Sequence, residues 1–309
     1  MSAREKEAMV ISRIAENSSS VMRPGTTCPG VEECWADVDG ARMRYLCAGS
    51  GPPLVLLHGL LGYSFSWRFN IPALAQHATV YAVDLLGTGL SDRPSHVDCS
   101  FRSTAEGLLR FLDEAGISSF DVLGTSHGGA VAMMLAFLSS ELPQKRLRRL
   151  ILAAPVNPWS PHGRRLALFL GSRIGSSLFL LTLARMRSAY AYWLKRMYGD
   201  ALRIPPGTLE GYSAPLKIPG TFEHGLHIMR HWTMDLRELE SVLPKISDYS
   251  TLLIWGSRDR AVYPSSAEPL RRQFKKCELV VIEGAGHLPY EETPKDFNGA
   301  VIDFLLSTP

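Results

Sequence analysis

The pentapeptide Gly124-Thr125-Ser126-His127-Gly128 has the residue types and spacing of a nucleophilic serine turn. It directly follows an apolar run of strand length, FDVLG at 120–124, and directly precedes a helical pattern. In this context G-x-S-x-G predicts a sharp strand-to-helix turn that presents the serine hydroxyl on a strained backbone. The helix N-terminus beside it favours the negative charge that acyl transfer generates. Ser126 is therefore the predicted nucleophile.

A serine hydroxyl needs a general base, and that base needs a partner that orients it. Asp259 follows the apolar run TLLIWG at 251–256, and His287 follows the run ELVVIEG at 278–284. Both come after the carboxyl end of a predicted strand, where open α/β sheets form their sites. Taken singly, a turn aspartate and a loop histidine are the structural alternatives. The order Ser, Asp, His, each after a different strand, favours a catalytic triad.

Acyl transfer also needs donors for the oxyanion of its tetrahedral intermediate. His58 and Gly59 begin a glycine-containing turn after the run PLVLL at 53–57. This turn can direct the Leu60 N–H at the nucleophile, and the His127 N–H is the predicted second donor. We interpret His58 as a buried residue that supports the loop. The glycines expected to support these turns are Gly59, Gly124 and Gly128.

Strand and helix patterns alternate around these residues. Continuous apolar runs, typical of strands covered on both faces, lie at 53–59, 79–84, 120–124, 150–154, 251–256 and 278–284. Helical spacing is found at 65–75, 103–115, 126–142, 265–274 and 294–306. Ahead of them, Asp39-Gly40 predicts a β-hairpin between 34–38 and 42–48. The pattern predicts an α/β fold with a doubly wound, mostly parallel, eight-stranded sheet.

One connection in this alternation is too long for a simple crossover. Residues 155–250 separate two predicted core strands, whereas a crossover needs only about 10 to 12 residues. An inserted helical cap is the predicted content. The expected organisation is an N-terminal arm at 1–30, a core formed by 31–154 and 251–309, and the cap at 155–250.

Composition excludes several classes of protein. The 309 residues are 46% hydrophobic and 20% charged, which excludes a disordered or fibrous chain. Thirty-three basic against 30 acidic residues give a net charge of +3, too even for a dedicated nucleic-acid binder. The cysteines are scattered and odd in number, so we expect free thiols in a reducing compartment. They are Cys28, Cys34, Cys47, Cys99 and Cys277.

Neither the N-terminus nor the most apolar stretch predicts export or membrane insertion. The first 20 residues lack the apolar run of about 7 to 15 residues found in secretion signals. The stretch 166–184 is interrupted by Gly171, Arg173 and Gly175, and falls short of the roughly 20 residues that span a bilayer. We expect a cytoplasmic protein without an integral membrane segment, acting as a monomer or homodimer on a small-molecule ester.

Four motifs stand in an order that resembles the α/β-hydrolase fold family. They are HGLLGYSFSW at 58–67, DLLGTGLSDRP at 84–94, GTSHGG at 124–129 and GAGH at 284–287. The resemblance covers about residues 35–307, with the cap matched only in position. It implies an α/β-hydrolase fold with a helical cap, Ser126, Asp259 and His287 as the triad, and no metal or organic cofactor.

Departures from the family's patterns narrow the expected chemistry. Similar epoxide hydrolases and haloalkane dehalogenases carry an aspartate where this chain has Ser126, and the epoxide branch typically has a proline at the place of Leu61. Similar cofactor-free perhydrolases carry methionine at the place of His127, and carbon–carbon hydrolases tend to have an HGxGPG-like turn. We expect a serine esterase acting on small or medium apolar esters. Thioester, lactone, amide or carbon–carbon hydrolysis, acyl transfer and a non-catalytic ligand receptor remain alternatives.

The predicted cap is basic and rich in aromatic residues. It has 12 Lys or Arg against 7 Asp or Glu, which could attract anionic substrates or an acidic membrane surface, although solvated helix faces are the simpler interpretation. Some of its aromatic residues should form the cap's own core and some should line an apolar pocket. They are Trp159, Trp193, Trp232, Tyr190, Tyr192 and Tyr198.

Three histidines of the cap lie at helical spacing. His224, His227 and His231 fall at i, i+3 and i+7, roughly one helix face, and three imidazoles can bind zinc. No nearby cysteine or suitably spaced carboxylate completes a ligand set. A pocket-lining or exposed histidine face is therefore favoured over a metal site.

Overall fold

The computed structural model describes residues 30–95, 97–160, 164–182 and 186–307, with the side chains of 182 and 186–190 excepted. The predicted N-terminal arm, 1–30, therefore lies outside the described residues except for Gly30, and Cys28 lies outside them too. The cysteines within the described part are free thiols, as expected. They are Cys34, Cys47, Cys99 and Cys277.

A single eight-stranded sheet forms the centre of the described fold, in the order β1-β2-β4-β3-β5-β6-β7-β8. The strands are β1 Val31–Val38, β2 Ala41–Ala48, β3 Pro53–Leu57, β4 Thr79–Val83, β5 Phe120–Thr125, β6 Leu147–Ala153, β7 Ser250–Gly256 and β8 Cys277–Ile282. β2 is antiparallel to β1 and β4, and every other pair is parallel. The predicted doubly wound, mostly parallel sheet is confirmed.

The β1–β2 hairpin has the predicted turn. Asp39 and Gly40 both have positive φ, 53° and 81°. A two-residue turn with positive φ at both positions matches the right-handed twist of the flanking strands. Val38 pairs directly with Ala41 across the turn.

Side chains from both faces of the sheet are buried, which explains the continuous apolar runs. Leu54 and Leu56 of β3 pack in one hydrophobic layer, and Val55 and Leu57 pack in the layer on the other side. At β8 the prediction of two covered faces is wrong, since Val281 is 49% exposed. β8 is the edge strand of the sheet.

The described α-helices flank the sheet or lie in the connection between β6 and β7. They are α1 Ile71–Leu74, α2 Phe101–Glu114, α3 His127–Ser140, α4 Arg164–Gly171, α5 Arg173–Thr182, α6 Met186–Met197, α7 Thr208–Ser213, α8 Thr221–Val242, α9 Ala267–Arg271, α10 Pro289–Glu292 and α11 Pro294–Leu306.

Two helices are shorter than predicted. The predicted helix at 65–75 is replaced by a 3-10 turn, Ser64–Trp67, and the single turn α1. Between them the Asn70 amide donates to the Tyr290 carbonyl at 3.0 Å, so this segment is fixed by long-range bonds rather than by a helical ladder. The predicted helix at 265–274 is likewise reduced to a 3-10 turn, Pro264–Ser266, followed by α9.

The connection between β6 and β7, residues 155–249, is called here the β6–β7 insertion; its described part contains helices α4 to α8. It contacts loops at the carboxyl ends of the parallel strands. The Tyr63 hydroxyl, after β3, donates to the Gly211 carbonyl at 2.9 Å, and the His287 N–H, after β8, donates to the Met197 carbonyl at 2.6 Å. Among the described helices, none combines the length and the apolar character needed to cross a membrane.

Asp235 of α8 is a buried carboxyl group with no ion pair among the described residues. Its Oδ2 accepts the Phe101 N–H at the start of α2 at 3.3 Å. Burial is the largest cause that raises the pKa of Asp235 to about 7, and the neighbouring Asp98 and Glu238 add to it. The folded state therefore holds a proton on this group at a pH where the unfolded chain does not.

Replacement of Asp235 by asparagine tests this pKa. Because the folded pKa is raised, the free energy of unfolding of the wild type should fall as the pH rises from 3.8 to about 7. Asp235→Asn keeps an acceptor for Phe101 and no longer ionises, so its stability relative to wild type should increase between pH 4 and pH 8 in thermal unfolding.

Asp248→Asn is the control, and its stability should change with pH in the opposite direction. A hydrogen bond from Lys275 lowers the pKa of the Asp248 carboxyl, whereas the pKa of Asp235 is raised. The stability contributed by Asp248 is present above the ordinary pKa and lost in acid. A difference between Asp235→Asn and wild type that does not change with pH would contradict the raised pKa.

Candidate active site

Ser126 occupies the turn between β5 and α3 in a strained backbone conformation. Its φ is 52° and its ψ is −119°, a combination that residues other than glycine rarely adopt. The Ser126 N–H donates to the Ala153 carbonyl at 3.0 Å, and its own carbonyl accepts from Gly129 and Val156 at 3.0 and 2.9 Å. These bonds fix the turn and leave the side chain partly exposed at the N-terminus of α3.

Gly124 and Gly128 let the strand and the helix approach each other at this turn. A Cβ atom on Gly124 would lie 2.3 Å from the Gly128 carbonyl oxygen, and one on Gly128 would lie 2.3 Å from the His58 carbonyl oxygen. A larger residue at Gly124 would push α3 away from β5, and one at Gly128 would push α3 away from the end of β3. Both glycines of the motif therefore lie at close backbone–backbone contacts.

Asp259 and His287 form a buried hydrogen-bonded pair. His287 Nδ1 lies 2.8 Å from Asp259 Oδ2, and the two side chains are 6% and 0% exposed. The other carboxylate oxygen, Oδ1, accepts the N–H groups of Ala261 and Val262 at 2.7 and 3.0 Å. With the Nδ1 proton directed at the carboxylate, His287 Nε2 is left free to accept a proton.

The loop that carries His287 folds back over the end of β7. A Cβ atom on Gly256 would lie 2.0 Å from the Gly286 carbonyl oxygen, so only glycine fits beneath this loop. The Arg258 N–H donates to the Ala285 carbonyl at 2.9 Å and adds a second connection. β7 and β8 are neighbours in the sheet, and these contacts bring Asp259 and His287 together from two different strand ends.

Of the predicted triad, the structure joins Asp259 to His287 but no described hydrogen bond joins Ser126 to His287. Ser126 follows β5 and His287 follows β8, with β6 and β7 between these two strands. Neighbouring strands lie about 4.8 Å apart, so the two strand ends are about 14 Å apart, and the loop after β8 shortens this gap by folding back over β7. The third contact of the triad remains a prediction.

The predicted oxyanion turn lies directly beside Ser126. A Cβ atom on Gly59 would lie 3.3 Å from Ser126 Cβ. The Gly62 N–H closes the turn by donating to the Gly59 carbonyl at 2.9 Å, and Leu61 has a φ of 56° that excludes proline there. The Leu60 N–H has no acceptor among the described hydrogen bonds. It is therefore available to a ligand.

His127 supplies the second candidate donor through its backbone. As the first residue of α3, its N–H has no partner within the helix. Its buried ring lies edge-on to Phe101 and is stacked against Trp232, with centroids 5.4 and 6.4 Å away. Burial lowers the pKa of His127 to about 3, so the ring is neutral. The side chain fastens the start of α3 to α2 and α8.

His58 is a buried part of the loop after β3. Its Nδ1 lies 2.8 Å from the Gly59 carbonyl, and its Nε2 accepts the Leu85 N–H at 3.1 Å. Burial lowers the pKa of His58, so the imidazole is neutral and can use Nε2 as an acceptor. The ring connects the predicted oxyanion turn to the segment after β4.

Asp84 is a second residue that holds this turn, and the sequence did not single it out. Its fully buried carboxylate accepts the N–H groups of Ser64 and Leu90 at 2.7 and 2.9 Å. Arg44 donates to the same group at 3.1 Å. The carboxylate thereby fixes the chain after the predicted oxyanion turn against the end of β4.

Glu292 connects the loop that carries His287 to the β6–β7 insertion. Its fully buried carboxylate accepts the Gly286 N–H at 2.7 Å, one residue before His287. It also accepts the Gly199 and Asp200 N–H groups, each at 2.9 Å, just after α6. Three backbone donors from two parts of the chain thus converge on one carboxylate.

Glu291, the preceding residue, forms a separate buried cluster. Its carboxylate accepts from Arg68 at 2.9 Å, from the Tyr198 hydroxyl at 2.6 Å and from the Tyr212 hydroxyl. Burial, reinforced by Glu291, raises the pKa of both tyrosines, so they stay protonated and donate. Because an unpaired buried charge is costly, removing any one partner should loosen the insertion.

The histidines of α8 do not converge on one point. His224 Nδ1 lies 3.4 Å from Cys99 Sγ, and its ring fills the space above Gly87, where a Cβ atom would come within 2.1 Å of it. His231 Nε2 lies 3.5 Å from Asp98. Burial lowers the pKa of His224 to about 4 and also lowers that of His227. In the described part of the chain, no three His, Cys, Asp or Glu side chains are placed to hold a metal ion.

The aromatic residues of the insertion are divided between its interior and its surface. Trp232 and Tyr198 are buried, with 9% and 2% exposure. Tyr192 and Trp193 are exposed at 59% and 43%, so these two are not part of a core. The Tyr190 side chain lies outside the described residues.

Comparison with known proteins gives one family. A family model described as alpha/beta hydrolase fold matches residues 52–294, well over half of the chain. Haloalkane dehalogenase 2 of Mycobacterium tuberculosis is 28% identical over 285 residues, which cover 88% of this chain and 94% of that protein.

Two solved structures are similar in fold. Cfl2 from Burkholderia cenocepacia superposes with a TM-score of 0.77 at 22% identity, covering 89% of this chain and 96% of its own. The 2-hydroxy-6-oxo-6-phenylhexa-2,4-dienoate hydrolase of Rhodococcus sp. strain RHA1 superposes with a TM-score of 0.75 at 22% identity, covering 90% and 99%. At this identity the likeness concerns the fold alone.

Replacement of Glu292 by glutamine tests the three-donor contact. The amide keeps one acceptor oxygen but turns an NH2 group toward backbone N–H groups, which leaves buried donors unsatisfied. The free energy of unfolding should fall by about 1–3 kcal/mol, measured by chemical denaturation.

Glu283→Gln is the matched control, because Glu283 is exposed and lies nearby in the chain. Its effect should stay within about 0.5 kcal/mol. If Glu292→Gln proved as stable as wild type, the carboxylate would not hold the two segments together.

Proposed function

The chain belongs to the alpha/beta hydrolase fold family, and we propose that it is a serine hydrolase that cleaves carboxylic esters through an acyl-enzyme intermediate. The observation that carries the proposal is the strained, partly exposed Ser126 at the N-terminus of α3 in a fold that also pairs His287 with Asp259. Neither a metal ion nor an organic cofactor takes part in the proposed reaction.

The first half of the reaction forms the acyl-enzyme. Ser126 Oγ attacks the ester carbonyl carbon while His287 Nε2 takes the hydroxyl proton, and the Asp259 carboxylate stabilises the resulting imidazolium. The negative charge on the former carbonyl oxygen is held by the Leu60 and His127 N–H groups and by the N-terminal end of α3. Collapse of this intermediate breaks the ester C–O bond, and His287 protonates the leaving alkoxide.

The second half releases the acid. Water attacks the acyl carbonyl, His287 Nε2 takes its proton, and the same two N–H groups hold the second oxyanion. Collapse breaks the bond to Ser126 Oγ, which regains its proton from His287. Each group returns to its starting state, so the cycle consumes only ester and water.

The surroundings of the turn support small or medium apolar ester groups. A very small cavity, with room for about one water molecule, lies beside the predicted oxyanion turn; its lining includes Leu60, Leu61, Leu86 and Ile228, and also Thr88, Thr104 and the neutral His127. Apolar walls with a few placed polar groups are typical of small-molecule sites. We therefore propose apolar acyl or alcohol groups for the substrate.

Dehalogenation, the activity named for the Mycobacterium tuberculosis relative, is disfavoured by the residue type at the turn. A serine that displaced a halide would form an alkyl ether, which has no carbonyl carbon for water to attack. Only a carboxylate nucleophile gives an ester that the histidine base can hydrolyse. We propose that Ser126 directs the chain to acyl rather than alkyl substrates.

The alternatives that keep a serine nucleophile are thioester, lactone, amide and carbon–carbon hydrolysis and acyl transfer. A product screen by mass spectrometry over these substrate classes separates them. We further propose that the protein acts in the cytoplasm as a monomer or homodimer, in keeping with the free thiols of its described cysteines.

Loss of the Ser126 hydroxyl should abolish ester hydrolysis. On p-nitrophenyl esters of graded chain length, Ser126→Ala should lower kcat/KM by about 10⁴-fold or more, the scale expected when a serine nucleophile is removed. The thermal unfolding midpoint should show that the variant is folded.

Ser118→Ala, at an exposed serine, is the control and should keep full activity. A fluorophosphonate probe should label the wild type and this control but not Ser126→Ala. An unlabelled wild type without esterase activity would instead favour a non-catalytic ligand receptor, and an unchanged rate in Ser126→Ala would end the assignment.

A further inference from the structure

The consecutive helices α4 and α5 are separated by Ser172 alone, and many of their exposed side chains are apolar. We call their large exposed apolar side chains the outer face; the residues are Leu166, Leu168, Phe169, Ile174, Leu178 and Leu181. Ile174 and Leu181 are 79% and 82% exposed. Monomeric globular proteins rarely expose a group of large apolar side chains this dense unless it binds something.

Small residues occupy the buried side of the same two helices. Ala167 is 1% exposed, and a Cβ atom on Gly171 would lie 3.1 Å from the Met229 carbonyl oxygen of α8. A Cβ atom on Gly175 would lie 1.9 Å from the Phe169 carbonyl oxygen, and the buried Ser176 hydroxyl donates to the Leu170 carbonyl at 2.7 Å. Small residues thus pack inside and large apolar residues face outward, the arrangement of helices that meet lipid.

The chain segment that carries this face has charges of one sign. Residues 142–199 contain no aspartate or glutamate. Arg164, Arg165 and Arg173 on these two helices and Lys195 on α6 are exposed, and none forms an ion pair with a described residue. A positively charged segment attracts anionic partners.

Helix α6 adds aromatic side chains to the same stretch of the insertion. Tyr192 and Trp193 are largely exposed, and the Arg196 guanidinium lies 5.9 Å from the Tyr192 ring centroid. Tyrosine and tryptophan are favoured where an apolar phase meets water, because their rings have an apolar body and a polar tip. Exposed apolar, aromatic and cationic side chains therefore follow one another along one segment of the chain, from α4 to α6.

We propose that the outer face binds the surface of an anionic lipid bilayer, with Leu166, Ile174 and Leu181 inserted among the acyl chains and the neighbouring Arg and Lys residues on the headgroups. α4 has 8 residues and α5 has 10, so at about 1.5 Å per residue each is far shorter than the roughly 30 Å hydrocarbon core. The two helices therefore lie in the membrane–water interface and do not cross the membrane.

Two other occupants fit the charge less well. Residues 1–29 carry Arg4, Lys6, Arg13 and Arg23 against Glu5, Glu7 and Glu16, so the segment is not acidic and offers no charge complement. A second copy would bring an equally cationic face against the first, and like charges repel. An anionic bilayer offers both an apolar phase and negative headgroups.

Vesicle co-sedimentation of the full chain tests the proposal independently of the reaction. Binding to phosphatidylcholine vesicles containing 30% phosphatidylglycerol should exceed binding to pure phosphatidylcholine vesicles at least tenfold at low salt, and should weaken in 0.5 M NaCl. Two double variants, Ile174→Ser with Leu181→Ser and Arg173→Glu with Lys195→Glu, should each reduce the binding at least tenfold.

The matched controls lie outside the insertion. Leu306→Ser removes a leucine that is 66% exposed, and Lys276→Glu with Lys295→Glu reverses two exposed charges. Both should bind vesicles like wild type, and circular dichroism should show that all variants are folded. If the serine double variant failed to fold, the charge-reversal variant alone would decide.

Two results would overturn the proposal. One is equal, weak sedimentation with both kinds of vesicle at low salt. The other is a dimer in light scattering that Ile174→Ser with Leu181→Ser dissociates while wild type fails to bind vesicles, because the outer face would then be an interface between two copies.

Discussion

The 2.8 Å hydrogen bond between His287 Nδ1 and Asp259 Oδ2 is the contact on which the rest of the site depends. It requires the loop after β8 to fold back over β7, and only a glycine at 256 leaves room for that path. Glu292 then fixes the loop from the other side through the Gly286 N–H. A buried carboxylate with three backbone donors is well suited to this, because its partners are rigid and water is excluded.

The parts of the site set by local sequence were predictable. The G-x-S-x-G turn needs glycines at fixed offsets, and the strand ends bring Asp259 and His287 to one edge of a parallel sheet. Long-range polar contacts could not be predicted from the sequence. In the sequence, Glu291 and Glu292 resemble the acidic residues that are typical of the first turn of a helix after a proline. Their spacing does not indicate Arg68, Tyr198 or Gly199 as partners. The apolar residues of segment 65–75 recur with a helical period because they all face the core, although the segment is a 3-10 turn followed by a single α-helical turn.

The β6–β7 insertion has two unlike sides. Toward the core it is joined by buried hydrogen bonds, including those of Glu291 and the bond from the His287 N–H to the Met197 carbonyl. On its outer side, α4 and α5 expose large apolar and cationic residues. The composition of the insertion predicts its net charge. It does not predict which residues are buried and which are exposed, because the buried packing of Gly171 and Gly175 can be recognised only from the helix contacts.

In the proposed mechanism, Ser126 carries an acyl group during turnover. The most direct measurement is mass spectrometry of the protein quenched during hydrolysis of a slow ester, followed by peptide mapping. An added mass equal to the acyl group should appear on the peptide that contains Ser126 and should disappear when the ester is exhausted. Steady ester hydrolysis with no adduct at Ser126, or with the adduct on another residue, would contradict it.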